Sequence, residues 1–367
     1  MGNHAMTDSW TMRPYRSGDE DSIARLFKTV FNIEMPMSKW VWRYLENGID
    51  LNFIQLAESA TGDIVGQYAV CPVRMKVDGR ELVGGFSLDT MVHPEWGGRG
   101  IFVKLAGAVY KDAAEHGIPL TYGFPNTNSY HGFVNRLQWM DLRKTLPVLV
   151  KPLNIRRLIK ARFENERIAG LLALVAKAGY RLYGSGSSGE GGSGSYNVRR
   201  VERFDESADL LWERSSSVAR VSVIRDASYL NWRFVRNPTE EYRILQAEQD
   251  GELVGYVVLK LADDFGLRVG YVADLLALPG DGAIVRALVE VALDYFRMQE
   301  MDMAGCLMMR SLPYERQLRR LGFLKVPARL FPQDIHLGVR NNTGEFSDNL
   351  LRDWRNWNIS WADHDRV

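Results

Sequence analysis

The spacing of apolar positions changes along the chain, and the changes mark out its elements. Ile101, Leu105, Ala108 and Val109 recur at i, i+4, i+7 and i+8, which predicts a helix that Gly117 and Pro119 bring to an end. The run DTMV at 89–92 reads as a strand and stops at Pro94. Between strand and helix lies a short loop holding Gly97, Gly98 and Gly100. Farther on, YGFPN at 122–126 predicts a strand entering a turn, and Asn126 and Asn128 stand ahead of a helix over 129–137, each suited to cap it.

These patterns occur twice, in the same order. SKWVWRYLENG at 38–48 is echoed by SYLNWRFVRNP at 228–238, with Trp42-Arg43-Tyr44 matching Trp232-Arg233-Phe234. A strand with Val-Gly-aromatic follows, VGQYAV from Val65 and VGYVVL from Val254. Next come DTMVHP (Asp89 to Pro94) and DLLALP (Asp274 to Pro279), and last RLQW at 136–139 and RLGF at 320–323. Four ordered landmarks at near-constant spacing indicate an internal repeat. Each copy predicts helix, helix, several strands, a Gly/Pro turn, helix, strand, helix, strand. The fold class is therefore α/β (α+β): two tandem modules, each a mixed, largely antiparallel sheet flanked by helices and meeting a βαβ-like crossover.

The expected boundaries are a tag remnant at 1–6, a first module at 7–150, inter-module helices at 151–183, a Gly/Ser/Glu tether at 184–195, a second module at 196–345 and a tail at 346–367. The segment 151–183 pairs Arg156, Arg157, Lys160 and Arg162 with Leu171, Leu172, Leu174 and Val175. It reads first as helices packing across the module junction, and second as a peripheral contact with a membrane or an anionic substrate. In the tail, Asp363, His364 and Asp365 lack metal-site geometry and read as solvated or at a cleft edge.

Composition narrows the function. With 46 basic and 45 acidic residues the net charge is +1, so no global field favours nucleic acid. The two cysteines, Cys71 and Cys306, sit in apolar runs without metal-ligand spacing and read as buried thiols of a reducing compartment. No apolar run approaches ~18 residues, the length a spanning helix needs. The expected location is the cytoplasm.

The glycine loop carries the chemistry. Gly97, Gly98 and Gly100 can adopt backbone angles closed to other residues, and the first-turn N–H groups of the next helix point the same way, which makes a pyrophosphate cradle. Such loops also serve as plain strand-to-helix turns. Neither the G-x-x-x-x-G-K-[ST] nor the G-x-G-x-x-G spacing is present. The segment instead resembles the acyl-coenzyme A loop of the GNAT acyltransferase superfamily, Arg/Gln-x-x-Gly-x-Gly/Ala after a Val-x-Pro strand end. Val92, His93 and Pro94 match the strand end, and Gly98, Arg99, Gly100 and Ile101 match the loop. Gly97 stands where the family has Arg or Gln, and Phe102 where it has Gly or Ala.

The resemblance implies that the strand ending at Val92 splays from YGFPN, that the thioester of acetyl-coenzyme A lies in the gap, and that backbone N–H groups near Met91 and Val92 hold it. It also implies a contact from Asn128. Met91, Val92, Gly97, Gly98, Arg99, Gly100, Ile101, Phe102 and Asn128 are therefore the expected cofactor-binding residues, with no metal. The family's tyrosine, four residues before the glycine of L-G-F, is replaced by Val134 here and by Leu318 in the second copy. Asp89 is then the candidate base, with a surface carboxylate as the plain alternative. Tyr130 is the candidate acid, with a packed ring as its alternative, while His131 and His93 read as helix and turn residues. After Pro279 the second copy has only Gly280 and Gly282, so one cofactor site is expected per chain.

The leading expectation is an N-acetyltransferase acting on an amine such as an amino sugar, saccharide precursor or small amine. Two alternatives are a Fem-type aminoacyltransferase drawing on aminoacyl-tRNA and a non-catalytic coenzyme A-binding scaffold.

Overall fold

The computed structural model describes residues 9–143, 146–161, 169, 196–264, 266–307, 314–327 and 336–364. The expectations for 1–6, for the tether at 184–195, for most of 162–183 and for Asp365 fall outside these residues. Two compact units emerge, one of residues 1–144, 236–239 and 335–354, the other of 145–235, 240–334 and 355–367.

In the first unit the elements run β1 (Trp10–Pro14), α1 (Glu20–Phe31), α2 (Met37–Tyr44), β2 (Phe53–Ser59), β3 (Ile64–Val77), β4 (Arg80–Val92), α3 (Ile101–Glu115), β5 (Leu120–Gly123), α4 (Thr127–Arg136) and β6 (Met140–Arg143). Helix α1 has Glu20 and Asp21 in its first turn and Lys28 in its last, matching its dipole. It stops where Asn32 turns left-handed at φ 55°. Strands β1 to β4 form an antiparallel meander, and β5 joins β4 in parallel. Because strand side chains alternate, the sheet buries both faces. Ile54, Leu56 and Ala69 pack with Ile23, Leu26 and Trp40 of α1 and α2. Phe53, Ala57, Tyr68 and Val70 pack with Ile101, Leu105 and Val109 of α3.

The second unit repeats this plan. Its sheet contains β8 (Asn197–Val201), β10 (Arg243–Gln249), β11 (Glu252–Asp264), β12 (Leu267–Ala277), β13 (Met303–Leu307) and β14 (Leu324–Lys325), with helices α6 (Ser207–Ser215), α7 (Ala227–Leu230), α8 (Gly282–Met298) and α9 (Glu315–Arg320). The repeated Val-Gly-aromatic landmark has a packing cause. A Cβ on Gly66 would lie 2.7 Å from Ile101 Cγ2, and one on Gly255 would lie 2.8 Å from Ile284 Cγ2. In both units a bare backbone seats the first turn of the crossover helix.

The structure corrects the expected boundaries. The strand that ends the first repeat, β7 (Val148–Pro152), lies between β13 and β14 of the second unit's sheet. Its counterpart β15 (Leu337–Asn341) lies between β5 and β6 of the first. The last strands are exchanged, which alternation of side chains along the chain does not reveal, because it fixes a strand's faces and not its neighbours.

The C-terminal segment also departs from expectation. After α10 (Asp348–Arg352), β16 (Trp357–Asn358) pairs in parallel with β9 (Val221–Val223). Trp357, Trp361 and Asp363 are buried, and Ser360 with Asp363 forms a capping box. This stretch is core rather than solvated tail. Helix α5 (Ile155–Ala161) starts the expected basic amphipathic segment, with Ile155 and Ile159 exposed beside Arg156 and Lys160. Among the described residues no helix is long and apolar enough to cross a membrane.

Candidate active site

A bulge and a divergence shape β4 at its C-terminal end. Gln67 pairs with Met91 and Ala69 with Leu88, so Tyr68 alone opposes Asp89 and Thr90. Asp89 takes φ 50° to allow this. The parallel pairing of β4 with β5 covers only Gly85–Ser87 against Thr121–Gly123. Beyond that point the strands part, leaving one edge of 88–92, with Met91 and Val92, clear of β5.

The loop after β4 runs directly into α3. Gly98 and Gly100 are left-handed, at φ 76° and 73°, and a Cβ on either would meet nothing within 4 Å, so backbone conformation rather than space demands glycine. Gly100 caps α3 without a side-chain hydrogen bond. The first main-chain bond of the helix runs from Lys104 N to Gly100 O (3.1 Å), so the N–H groups of Ile101, Phe102 and Val103 have no acceptor within the helix. The 15-residue α3 adds its positive dipole end at the same place. The Arg99 guanidinium lies 4.5 Å over the Trp96 ring, which holds a positive charge beside the loop. Gly97 is extended and brings no side chain.

Phe102, the departure from the family pattern, fills the space between α3 and α4. Its ring meets Phe133 edge-on at 5.4 Å, and a Cβ on Gly132 would lie 2.8 Å from Phe102 Cε1. Gly132 is the small residue that admits the large one.

Asp89 is placed differently from expectation. Its carboxylate is buried in an ion pair with Arg43 (2.5 Å) and accepts the Tyr44 hydroxyl (2.9 Å), both from α2. It is neither an open base nor a surface group; it pins the bulge. The second unit supports this, because Asp274 at the matching position accepts from Arg225 (3.1 Å) and from Tyr256 (2.8 Å). Replacing Asp89 by Asn removes the carboxylate against which Arg43 is buried. The variant should lose about 3 kcal/mol of stability, measured by urea unfolding; parental stability would return Asp89 to the list of bases.

Tyr130 stands in the first turn of α4 and donates its hydroxyl to Asp141 Oδ2 on β6, which pushes its pKa up to about 12. The His336 ring lies over it, centroids 4.4 Å apart. Asn126 is the cap of α4, accepting from the N–H groups of Asn128 and Ser129, while Asn128 itself is exposed in the first turn. His131 is exposed on α4, and His93 is a turn residue whose Nδ1 accepts from Glu95 N. Both cysteines are free and buried, and burial pushes both thiols up, Cys71 to about 12. Among the described residues no group of three or more His, Cys, Asp or Glu could hold a metal ion. Sequence reasoning missed Asp141 and His336. The signal for Asp141 was there, in a position two residues past the Trp139 landmark where the second copy has Lys325.

In the second unit the matching site is filled by its own side chains. Asp281 caps α8, accepting from Ala283 N at 2.8 Å, so a carboxylate already occupies the anion position. A Cβ on Gly282 would clash with Gln317 Nε2, so Gln317 closes the approach. At the end of β12 the Tyr314 hydroxyl takes both Ala277 N and Ala277 O, each at 2.9 Å. By the repeat, Tyr314 matches Tyr130 and Ala277 matches Val92.

Residues 11–140, within the first unit, match the family model of the acetyltransferase (GNAT) domain. No curated protein matches the chain in sequence. Among solved structures the chain is similar to a GCN5-related N-acetyltransferase from Anabaena variabilis (TM-score 0.63, 12% identity, 91% of this chain and 73% of that one). It is similar to another from Kribbella flavida (TM-score 0.58, 15% identity, 93% and 73%). The N-myristoyltransferase of Saccharomyces cerevisiae with bound myristoyl-CoA and inhibitors is also similar (TM-score 0.59, 12% identity, 93% and 81%). At these identities the likeness is one of fold.

Proposed function

We propose that the first unit binds one acyl-coenzyme A along residues 91–102 and transfers an acetyl or other short acyl group to an amine. The contrast between the two units carries this reading: an uncapped helix behind two left-handed glycines in one, and the same site occupied by Asp281, Gln317 and Tyr314 in the other. The N–H groups of the loop and of the first turn of α3 would hold the pyrophosphate. The free edge of β4 at Met91 and Val92 would hold the thioester arm and orient its carbonyl. Tyr130 is a candidate for moving a proton, and Asn128 a candidate contact with the cofactor. Amino sugars, saccharide precursors and small amines are the acceptor classes to try.

Calorimetry with coenzyme A should give one site per chain. Two equivalent sites would overturn the reading of the second unit as filled, and no binding would overturn the whole. Release of free thiol from acetyl-coenzyme A in the presence of a panel of amines tests turnover; binding without release across the panel would favour a scaffold.

A further inference from the structure

Asp141 sits at the level where the cleft opens. Ser87 pairs with Gly123, Gly123 with Gly338, and Gly338 with Asp141, so the four form one row across the sheet at the point where β4 and β5 part. One carboxylate oxygen, Oδ2, accepts the Tyr130 hydroxyl, and the other, Oδ1, is buried with no hydrogen-bond partner. The repeat supplies a second, independent observation. The position matching Asp141 is Lys325, exposed on β14, and Tyr314 there turns to the main chain of β12. A carboxylate stands beside this tyrosine only in the unit whose site is open.

We propose that Asp141 is a positioning residue that makes Tyr130 a proton relay between the attacking amine and the departing sulfur. This rests on the reading of the first unit as an acyl-transfer site. Attack forms the N–C bond; the amine proton passes to Tyr130 Oη as the tyrosine's own proton moves to Asp141 Oδ2. When the C–S bond breaks, the thiolate takes a proton from Tyr130 and the tyrosine recovers one from Asp141. One proton has moved from nitrogen to sulfur and the pair is back at its start. The titratable groups facing Tyr130 are Asp141 from β6, His336 from the lead-in to β15 and His131 from its own helix, whose ring lies 5.8 Å away. The His336 ring, tilted 34° to the tyrosine ring, packs against it and limits its swing.

The test combines turnover with a signal from Tyr130 itself. With acetyl-coenzyme A and the best amine of the panel, Asp141→Asn should lower kcat about 100-fold and leave the KM for acetyl-coenzyme A within about twofold. Asp141→Glu should recover part of the loss. Tyr130→Phe should fall as far, and the double variant no farther, since the two residues act as one unit. Ultraviolet titration, read as the difference from Tyr130→Phe, should show about a tenth of Tyr130 ionised at pH 11 in the parent. In Asp141→Asn a clearly larger share should be ionised at that pH, since the carboxylate that raises the phenol is gone while its burial remains. A kcat or a tyrosine titration unchanged in Asp141→Asn overturns the relay while coenzyme A binding in the parent stands. A parent that binds no coenzyme A overturns the acyl-transfer reading and the relay with it.

Discussion

Valine at Gly98 or Gly100 is expected to weaken coenzyme A binding at least ~100-fold. Both residues hold left-handed φ angles, 76° and 73°, where a side chain with a Cβ costs roughly 1–2 kcal/mol and a branched one more. The loop relieves that strain by rotating out of the left-handed region, and the rotation turns its N–H groups away from the phosphates. The predicted loss is therefore in binding geometry, with the α3 core unaffected. Two controls separate this from general damage. Gly107, on α3 with open space around it and no positive φ, should accept alanine without loss of affinity. Gly280 has φ 91° in the second unit, and its valine variant carries the same kind of strain but should leave coenzyme A affinity unchanged. Calorimetry on the four variants decides: unchanged affinity at Gly98 and Gly100 would move the site elsewhere.

Arg225→Met should be the most destabilising single change in the second unit. Arg225 is 1% exposed and bridges Asp274 and Asp363, which are 4% and 1% exposed. Without it two buried carboxylates share a region with Ser360 and Tyr256 as their remaining partners, a loss of about 3–5 kcal/mol. The pH dependence has a definite sign. Burial raises the Asp363 pKa, with Arg225 pulling it down and Asp274 pushing it up. Removing Arg225 raises it further. A carboxyl whose folded pKa lies above its unfolded value of ~3.9 holds a proton in the native state that the unfolded chain has released, so stability falls as pH rises through that window. The deficit of the variant should therefore shrink as the pH is lowered from 7 towards 5, read by urea unfolding at both. A deficit that stays constant or grows on acidification would contradict the account.

The parts of the fold that were legible in the sequence are those where one residue type has one cause. The glycine of each Val-Gly-aromatic run seats a crossover helix, and Gly98 and Gly100 hold angles that only glycine holds freely, so spacing alone exposed both the repeat and the loop. Asp89 was misread because alternation shows the face of a strand without showing that Arg43 and Tyr44 arrive there from α2. The C-terminal segment looked polar because its charges are visible and their burial is not: Asp363 is paired with Arg225, far off in sequence. The Asp141–Tyr130–His336 cluster joins a strand, a helix and a segment from the far end of the chain, and no local pattern connects them. A comparison of the two copies would have pointed to it, since Asp141 becomes Lys325 where the site is filled.

The exchanged last strands bear on how the chain is made. β5 and β6 leave the ribosome well before β15 (Leu337–Asn341), which runs between them. Until β15 is made, β5 presents an unpaired edge and β6 lacks its neighbour in the sheet, a state open to wrong pairing and to aggregation. Synthesis of residues 337–341, rather than completion of residue 143, would then be the event that finishes the first sheet. A chain stopped between residues 144 and 336 would hold the glycine loop in full and still lack β15, the strand that places His336 against Tyr130.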